Sequence, residues 1–385
     1  MPSRLDHLEC AACGKRHDPA VVQQRCACGG TLLCRYNLSG LMLADVRSRP
    51  PGTWRYRELL PIEGDPVSLG EPETATLFAP RLSERWGIEA WIKDESTLPG
   101  ATFKARGACV GLSRAVELGV KRVVMPTAGN AGGTWSLYAA RAGIEITVVM
   151  SATAPRTNQL EVTAAGGTLE LVDGSIADAA VRAKEIADET GAFFAATFYE
   201  PYRLEGKKAA WLESFDSLGD ADSMSFPATI VLPVGGGVAA IAAAKVAAEV
   251  RELGWSNDRA PRLVGVQAAN CAPIVKAFEE GRDDVPPWTG DPHTVAAGLR
   301  VPAPIEGPLV METIRASGGT MVAVEEDRIV ESMRDLAATE GLLACPEGAT
   351  TVDAAEQLVR AGDLDGPVLL YNTGAGQKYL DVLTD

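Results

Sequence analysis

The feature that most constrains the fold is an alternation, from about residue 85 onward, of short β-branched runs with longer Ala-rich segments. The longer segments, such as residues 176–191, repeat small and apolar residues at helical spacing. Continuous apolar strands that alternate with helices are typical of parallel sheets covered on both faces. The sequence therefore predicts an α/β fold. The predicted strands are RVVMPT, EITVVM, TLELVD, AFFAAT, TIVLPV, RLVGVQ, TMVAV and PVLLYN.

So many strand–helix repeats exceed what one open sheet holds comfortably, and we expect two doubly wound α/β domains. The predicted division is a Cys-rich, zinc-ribbon-like segment at 1–40, a large domain from 41–99 and 199–385, and a small domain at 100–198. Pro and Arg in RSRPPGTWRYRELLP, residues 47–61, predict an extended connector.

Charge and hydropathy exclude some classes of function. The 385-residue chain has a formal net charge of −15, which argues against general binding of nucleic acid, because that binding rests on basic patches. The first ten residues lack a signal-peptide pattern, and no apolar run approaches the length of a membrane span. We expect a cytoplasmic enzyme that holds any anionic ligand locally.

Lys104 stands among small residues in ATFKARGA, residues 101–108, with Phe103 before it. Lysine and arginine are good helix formers, so Lys104 could simply begin an exposed helix. A desolvated amine could instead form a Schiff base with an aldehyde. Lys104 alone does not decide between the two interpretations.

Three other stretches follow predicted strands and could bind a ligand. Residues 235–237, in LPVGGGVAAIAAA, precede an Ala-rich helix, whose N-terminus favours a phosphate; a tight turn is the alternative. Residues 127–130, in MPTAGNAGG, could present N–H groups to a carboxylate or form an ordinary turn. Thr373, in NTGAGQK, could bond a ring nitrogen or cap a helix.

In their chain order, Lys104, 127–130, 235–237 and Thr373, these stretches resemble the fold type II family of pyridoxal 5′-phosphate (PLP) enzymes over residues from about 50 to the end. Within that family the chain is most similar to the threonine synthases, because the Cys-bearing leader CGGTLLCRYNL also matches them. The stretches that carry the resemblance are FKARG, TAGNAG, PYRLEGKK, PVGGGVA, TVAAGLRVPAP and NTGAGQK.

The resemblance implies a PLP cleft between the two domains and a role for each motif residue. Lys104 would form the Schiff base and then act as general base and acid. Asn130 would bond the phenolic oxygen, and the Thr373 hydroxyl would bond the pyridine nitrogen. A hydroxyl at that nitrogen suits elimination or replacement. The other cofactor-binding residues would be Phe103, Gly235, Gly236, Gly237 and Val238. The substrate-binding residues would be Thr127, Ala128, Gly129, Asn130 and Arg203.

The implied reaction is elimination or replacement at Cβ or Cγ of an amino acid. The first candidate is the conversion of O-phospho-L-homoserine and water to threonine and phosphate. Arg203 matches the family's phosphate-binding arginine, and a guanidinium suits a phosphate. Thr197 and Phe198 replace an Asn-Ser pair, and Ala105 and Ala131 also depart from the threonine synthase pattern. Threonine or serine dehydratase, cysteate synthase and diaminopropionate ammonia-lyase activities stay open.

The N-terminal cysteines suggest metal ligation rather than disulfides in a cytoplasmic protein. Cys10, Cys13, Cys26 and Cys28 have nearly zinc-ribbon spacing, although the second pair is one residue short of C-x-x-C. The site would be structural; alternatively, Cys34 substitutes for one ligand, or the site is degenerate. A non-catalytic protein that senses a metabolite or binds a partner through this segment is the alternative of another class. A homodimer is expected.

Overall fold

The structure is a computed structural model and describes residues 3–384. By the density of their contacts these residues form two compact units. The first unit comprises residues 3–40, Val46–Pro72 and Lys104–Ala209, and the second comprises Leu41–Asp45, Glu73–Phe103 and residues 210–384. The domain division at 1–40, 41–99 with 199–385, and 100–198 stays a prediction about independent folding, which this grouping does not test.

The strands, in chain order, are β1 (Leu5–Cys10), β2 (Arg16–His17), β3 (Leu32–Tyr36), β4 (Thr76–Phe78), β5 (Ala90–Asp94), β6 (Arg122–Pro126), β7 (Glu145–Ser151), β8 (Thr168–Val172), β9 (Phe193–Phe194), β10 (Thr229–Pro233), β11 (Arg262–Ala268), β12 (Thr320–Val324) and β13 (Val368–Asn372).

The α-helices are α1 (Leu43–Arg47), α2 (Pro80–Trp86), α3 (Lys104–Glu117), α4 (Ala131–Ala142), α5 (Arg156–Ala164), α6 (Ile176–Thr190), α7 (Tyr202–Leu218), α8 (Val238–Glu252), α9 (Pro273–Glu279), α10 (Gly307–Ala316), α11 (Glu326–Glu340) and α12 (Pro346–Ala361). Short 3₁₀ helices occupy Thr53–Leu59, Pro99–Ala101, Ala269–Cys271, Ala297–Leu299 and Gly376–Leu383.

The first unit contains two sheets. The Cys-rich segment forms a three-stranded antiparallel sheet in the order β2-β1-β3, and a four-stranded parallel sheet has the order β8-β7-β6-β9. Val124 of β6 and Val149 of β7 pack with Ala183 of α6 in one apolar cluster. Helix α6 begins at a capping box of Ser175 and Asp178, which satisfies two backbone donors that a helix start leaves without partners.

The second unit is built on a six-stranded sheet in the order β12-β11-β10-β13-β5-β4. All neighbours are parallel except the edge strand β4, which is antiparallel to β5. Val231, Val264 and Leu370, on the three central strands, are buried in one cluster. The prediction of an α/β fold on two mainly parallel sheets is therefore confirmed, although AFFAAT contributes a strand of only two residues.

Strand β5, AWIKD, is not among the strands predicted from the sequence. Lys93 of β5 is 0% exposed, and its Nζ lies 2.8 Å from Glu213 Oε2 and 2.7 Å from the Thr74 carbonyl oxygen. Because a buried ammonium needs a partner, Glu213 and Thr74 allow this lysine to lie inside the sheet.

The prediction of an extended connector at 47–61 is wrong. Thr53–Leu59 forms a 3₁₀ helix in which Tyr56 and Leu59 are buried. Glu58 is also buried, and its carboxylate accepts bonds from both terminal nitrogens of Arg49. Apolar burial and this ion pair pack the segment into the first unit, although it contains prolines and a glycine.

Candidate active site

Lys104 is the first residue of α3 and is half-buried. The following residues of α3, from Ala105 to Ala115, are buried, so α3 is not the exposed helix that the simpler interpretation required. The helix dipole is positive at the N-terminus and does not stabilise an ammonium there. The position therefore favours a chemical role for the amine over a surface role.

The segment before Lys104 is fixed to the end of β13, within the second unit. The Phe103 N–H donates to the Thr373 carbonyl oxygen at 2.9 Å, and Thr102 and Gly374 form an antiparallel bridge. Ala101 has a φ of 54°, in the left-handed region that non-glycine residues rarely adopt. A strained backbone thus immediately precedes the lysine segment.

Thr373 is 6% exposed, and its hydroxyl lies 3.2 Å from the Cys345 Sγ. The next helix, Gly376–Leu383, has Ala375 at its N-cap and no side-chain cap, so the helix-cap interpretation of Thr373 is wrong. Burial raises the pKa of Cys345 well above its ordinary value, and the Glu347 carboxylate raises it further. The neighbour of the Thr373 hydroxyl is therefore a neutral thiol.

The turn at 235–237 joins β10 to α8. Gly237 is the N-cap, with a φ of 82°, and in the described part of the chain no side chain caps this helix. A Cβ at Gly237 would lie 2.2 Å from Val310, and one at Gly235 would lie 2.3 Å from the Gly298 carbonyl oxygen. Packing thus accounts for two of the three glycines, as the alternative of a tight turn requires.

The start of α8 nonetheless fits a phosphate. The first amides of a helix lack acceptors within it, and the dipole favours an anion there. The first amide that donates back to the turn belongs to Ala240, which bonds the Gly237 carbonyl at 3.1 Å. The amides of Gly236 and Val238 precede it, and Gly236 is half-buried.

A chain of contacts connects this turn with TVAAGLRVPAP and the start of α12. Gly235 packs against Gly298, whose N–H donates to the Glu347 carboxylate at 2.7 Å. Glu347 lies in the first turn of α12, whose N-cap is Cys345. Glu347 therefore combines a position in the first turn of a helix with a specific partner.

The turn at 127–130 joins β6 to α4 in the first unit. The Gly129 N–H donates to the Thr127 hydroxyl at 3.2 Å, and the Thr134 hydroxyl donates to the Asn130 carbonyl at 2.8 Å. Asn130 is the N-cap residue but does not use its side chain to cap the helix. The amide of Asn130 is therefore not explained by helix capping.

Two glycines let FKARG and PYRLEGKK pack closely. A Cβ at Gly206 of α7 would lie 1.8 Å from the Arg106 carbonyl oxygen of α3. A Cβ at Gly107 would lie 3.0 Å from the Arg203 carbonyl oxygen and 2.9 Å from the Lys207 Nζ. The start of α3 thus lies against the first turns of α7.

Lys207, which the sequence analysis did not single out, is 4% exposed. Burial lowers the pKa of Lys207 well below its ordinary value, and the positive charges of Lys104 and Arg203 lower it further. A second amine therefore lies within electrostatic reach of Lys104. The sequence KK at 207–208 contains no signal that distinguishes a buried lysine from a surface lysine.

Arg203 is held by four neighbours. Its Nε pairs with the buried carboxylate of Glu200, and its Nη2 donates to the Ala195 carbonyl. Its Nη1 lies 3.3 Å from the Thr197 hydroxyl, and its guanidinium lies 4.7 Å from the Trp135 ring centroid. The spacing of Glu200 and Arg203 could have suggested their pairing from sequence.

Trp135 lies between helices α3, α4 and α7, whose first turns carry three of the resemblance motifs. It belongs to α4, contacts Arg203 of α7, and would meet a Cβ at Gly111 of α3 at 2.8 Å. Trp135 is 2% exposed and Tyr138 is 0% exposed, as expected for packing residues.

Of the predicted residues, the first unit holds Lys104, 127–130 and Arg203, and the second holds Phe103, 235–238 and Thr373.

The Sγ atoms of Cys10, Cys13, Cys26 and Cys28 all lie within 4.8 Å of one another. Three of the separations are 3.4, 3.5 and 3.7 Å, close to the roughly 3.8 Å that tetrahedral zinc with Zn–S of about 2.3 Å requires. The short second pair is therefore compatible with a metal site. Cys34 is buried and does not belong to this group.

Cys10 and Cys13 differ in proton affinity. Burial alone would raise the pKa of Cys10, but the N–H groups of Cys13 and Ala12 lower it to about 7. The Lys15 amide lowers the pKa of Cys13, but the thiols of Cys28 and Cys10 outweigh it and raise the pKa to about 12. Metal binding would replace this shared set of protons with four thiolates.

Comparison with known proteins identifies the class. Pyridoxal-phosphate dependent enzyme is the family whose profile matches residues 67–374. Threonine synthase of Methanosarcina acetivorans is 32% identical over 375 residues, 96% of this chain and 91% of the relative. Threonine synthase of Methanocaldococcus jannaschii is 31% identical over 381 residues, 96% and 92% of the two chains.

Two solved structures support the fold. A threonine deaminase from T.th. has a TM-score of 0.68 at 22% identity, covering 87% of this chain and 98% of that one. Maize serine racemase has a TM-score of 0.65 at 21% identity, covering 79% and 88%.

The parallel sheets define an α/β fold, in which ligands bind beyond the carboxyl ends of the strands. The chain belongs to the family of pyridoxal-phosphate dependent enzymes. The predicted cofactor and the predicted class, a PLP-dependent lyase, are confirmed. The roles of individual site residues stay predictions. Among residues 3–384, no helix is both long and apolar enough to span a membrane.

Proposed function

We propose that the chain converts O-phospho-L-homoserine and water to L-threonine and phosphate. One Cβ–H bond and the bond between Cγ and the phosphate oxygen break, the hydroxyl of water is added at Cβ, a proton is added at Cγ, and the remaining proton leaves with the phosphate. Similarity to two threonine synthases over 96% of the chain supports this reaction.

The observation that carries the proposal is the pair of basic side chains on the first turns of α7. Arg203 and Lys207 lie one turn apart, and both are buried against the start of α3. The contacts of Arg203 with Ala195 and Thr197 use one N–H of each terminal nitrogen, so one N–H of each remains for phosphate oxygens. A phosphorylated substrate would also stabilise a charged Lys207.

Each site residue of the chain would have its own role. When bound, PLP supplies an electron sink that makes the substrate Cα proton removable. Lys104 would hold the cofactor and move protons as general base and acid. The amides of 235–238 would hold the cofactor phosphate, Asn130 would donate to its phenolic oxygen, and Thr373 would bond its ring nitrogen. The amides of 127–130 would bind the substrate carboxylate.

A second candidate, β-elimination from threonine or serine, is favoured by two observations. The charge of Arg203 is already offset by Glu200, whose side chain is 0% exposed, and Phe198 cannot donate a side-chain hydrogen bond to a phosphate. An unphosphorylated amino acid would need neither group.

A spectral titration with product identification tests both candidates. The purified chain with PLP should absorb at about 410 nm, and the band should change on adding substrate. We expect O-phosphohomoserine to give threonine and phosphate. If threonine is instead the preferred substrate and gives 2-oxobutanoate, the second candidate replaces the first. The same titration with O-phosphoserine and serine covers the related reactions.

Lys104→Ala is the control for the cofactor role. We expect it to lose the band near about 410 nm, because the covalent link requires the amine, and to lose turnover by about 10²–10⁴-fold. An unchanged spectrum in this variant would contradict the assignment of Lys104. The expected homodimer is checked separately by sedimentation of the same preparation.

We further propose that the four N-terminal cysteines hold a structural zinc ion. Four thiolates leave no open coordination position, so the metal would stabilise the fold and not take part in the reaction. Metal analysis should find about one zinc per chain, and Cys13→Ser should lower that content. A full chain purified without zinc, and unable to bind it, would contradict the proposal.

A further inference from the structure

The Cys-rich segment contacts the segment 194–203, which leads into α7, at three points within the first unit. The Thr31 hydroxyl donates to the Phe198 carbonyl at 2.9 Å, in a buried contact. The Gln24 side chain donates to the Phe194 carbonyl at 2.8 Å. The Arg25 guanidinium lies 5.2 Å from the centroid of the Tyr199 ring.

A fourth contact lies one turn into α7. The Tyr36 hydroxyl of β3 donates to the Glu205 carboxylate at 3.0 Å, and the same carboxylate lies 3.0 Å from the Lys208 Nζ. That ammonium lies 4.2 Å from the centroid of the Tyr36 ring. The Glu205 and Lys208 side chains are 0% exposed, so this part of α7 is joined to the Cys-rich sheet.

The first three contacts belong to the cysteine cluster's own loop. Gln24 and Arg25 precede Cys26, and Thr31 follows a turn closed by the bond from the Cys26 N–H to the Gly30 carbonyl. The Thr31 carbonyl accepts from the Ala11 N–H, in the loop between Cys10 and Cys13. The position of Thr31 therefore depends on how the two cysteine pairs are held together.

The residue that Thr31 holds is strained. Phe198 has a φ of 63° and is 5% exposed. A bulky residue in the left-handed region keeps that conformation only where its surroundings enforce it. The bond from Thr31 to the Phe198 carbonyl is one such constraint.

The same segment orients Arg203. Its guanidinium bonds the Ala195 carbonyl, the Thr197 hydroxyl and the Glu200 carboxylate, which flank Phe198. A change in the backbone at Phe198 would shift these three partners together. Arg203 is the residue assigned above to the substrate phosphate.

We propose that the cysteine cluster, with zinc bound, holds the segment 194–203 in the conformation that binds the substrate's anionic group, with Thr31 as the positioning residue. The role in substrate binding rests on the proposed function. The mechanical coupling rests on the contacts alone. Loss of the metal frees Thr31, relaxes Phe198 and disorders the partners of Arg203.

Hydrogen exchange of the full chain tests the coupling without substrate. Samples are compared with zinc, after removal of zinc by a chelator, and after zinc is restored. We expect exchange of amides in 194–203 to rise at least about tenfold without zinc and to recover with it. Exchange in β10 should not change. Unchanged exchange in 194–203 on metal removal overturns the inference and leaves the proposed function intact.

Thr31→Val keeps all four cysteines and tests the positioning role by kinetics. We expect KM for O-phosphohomoserine to rise about three- to tenfold with kcat within about twofold, the effect of one lost hydrogen bond. Ser3→Ala is the matched control, because the Ser3 hydroxyl donates to the Leu60 carbonyl from the same segment at 2.5 Å. An equal rise in both variants overturns the positioning role.

The two proposals fail in different ways. Coupled exchange together with no formation of threonine contradicts the proposed function only. Threonine formation with unchanged exchange and an unchanged KM in Thr31→Val contradicts this inference only. Far-UV circular dichroism of each sample verifies that the chain is folded, so that unfolding is not counted as coupling.

Discussion

Two strand–turn–helix elements, one in each unit, invite comparison. In the first unit β6 leads through 127–130 into α4, and in the second unit β10 leads through 234–237 into α8. Both strands lie inside parallel sheets. The two turns nevertheless offer a ligand different chemical groups.

The turn at 127–130 is organised by side chains. The Thr127 hydroxyl receives the Gly129 N–H at 3.2 Å, and Thr134 bonds the Asn130 carbonyl. The glycine that needs space is not in the turn but in the first turn of α4, where a Cβ at Gly132 would meet the side chains of Thr127 and Met150. This turn therefore keeps a polar side chain, Asn130, at the start of α4.

The turn at 234–237 contains only backbone and apolar side chains. Gly235 and Gly237 are packed against Gly298 and Val310, respectively, and within the described residues no side chain caps α8. A phosphate needs several N–H donors and no particular side chain, whereas a ring oxygen needs one donor in one position. The bare turn suits the phosphate, and the turn with Asn130 suits the ring.

Gly237→Ala should have the largest effect on this comparison. A Cβ there is strained by the φ of 82° and meets Val310 at 2.2 Å. Left-handed strain of about 1–2 kcal/mol and overpacking of about 1–3 kcal/mol predict roughly a hundredfold weaker binding of PLP, measured by spectral titration.

Gly254→Ala is the matched control, because Gly254 follows the other end of α8 with a φ of 68° and open space around it. It should cost stability of about 1 kcal/mol without changing PLP affinity. If both variants bind PLP equally well, the turn at 234–237 does not hold the phosphate.

Asn130→Ala should have a smaller and different effect. Loss of one hydrogen bond to a charged oxygen, worth about 1.5–3 kcal/mol, predicts a fall in kcat of about tenfold to a hundredfold and a shifted absorbance band. PLP should still bind, because its phosphate is held elsewhere. Stopped-flow spectra and a PLP titration of the same variant check both parts. Loss of PLP affinity with an unchanged kcat would reverse the roles of the two turns.

The sequence motifs predicted these turns because each motif is contiguous and its small residues mark a close approach. Packing partners were not predictable. The sequence favours a phosphate at Gly235 and Gly237 over a tight turn, but Gly298 and Val310, which exclude a Cβ, lie more than sixty residues away along the chain. The structure thus changed the reason for two glycines and left the position of the turn unchanged.

Buried charge was the least predictable part of the fold. The parallel strands followed from continuous apolar runs, but β5 contains Lys93, whose partner Glu213 is 120 residues distant. Lys207 was missed for the same reason, because burial depends on tertiary contacts that local sequence does not encode. The left-handed Ala101 and Phe198 carry no local signal either, since neither residue type favours that region.

Thr373→Val extends the comparison to a third strand end, that of β13. A neutral hydrogen bond worth about 0.5–1.5 kcal/mol predicts a fall in kcat of roughly three- to tenfold. Thr373→Ser should retain kcat within about twofold, because it keeps the hydroxyl. Steady-state rates of both variants decide the matter. Equal losses in the Val and Ser variants would attribute the effect to packing against Cys345.

Thr127→Val should have the smallest effect, because its hydroxyl bonds the turn itself. One weak neutral hydrogen bond predicts a rise in KM of about two- to threefold with kcat unchanged. Thr190→Val, which removes a hydroxyl bond to the Ile186 carbonyl at the end of α6, is the control and should leave KM unchanged. If Thr127→Val matches Asn130→Ala in its loss of kcat, the two residues act as one unit and the amide of Asn130 depends on the Thr127 bond. If KM alone rises, the turn binds the substrate carboxylate through its backbone, and Asn130 acts on the ring independently.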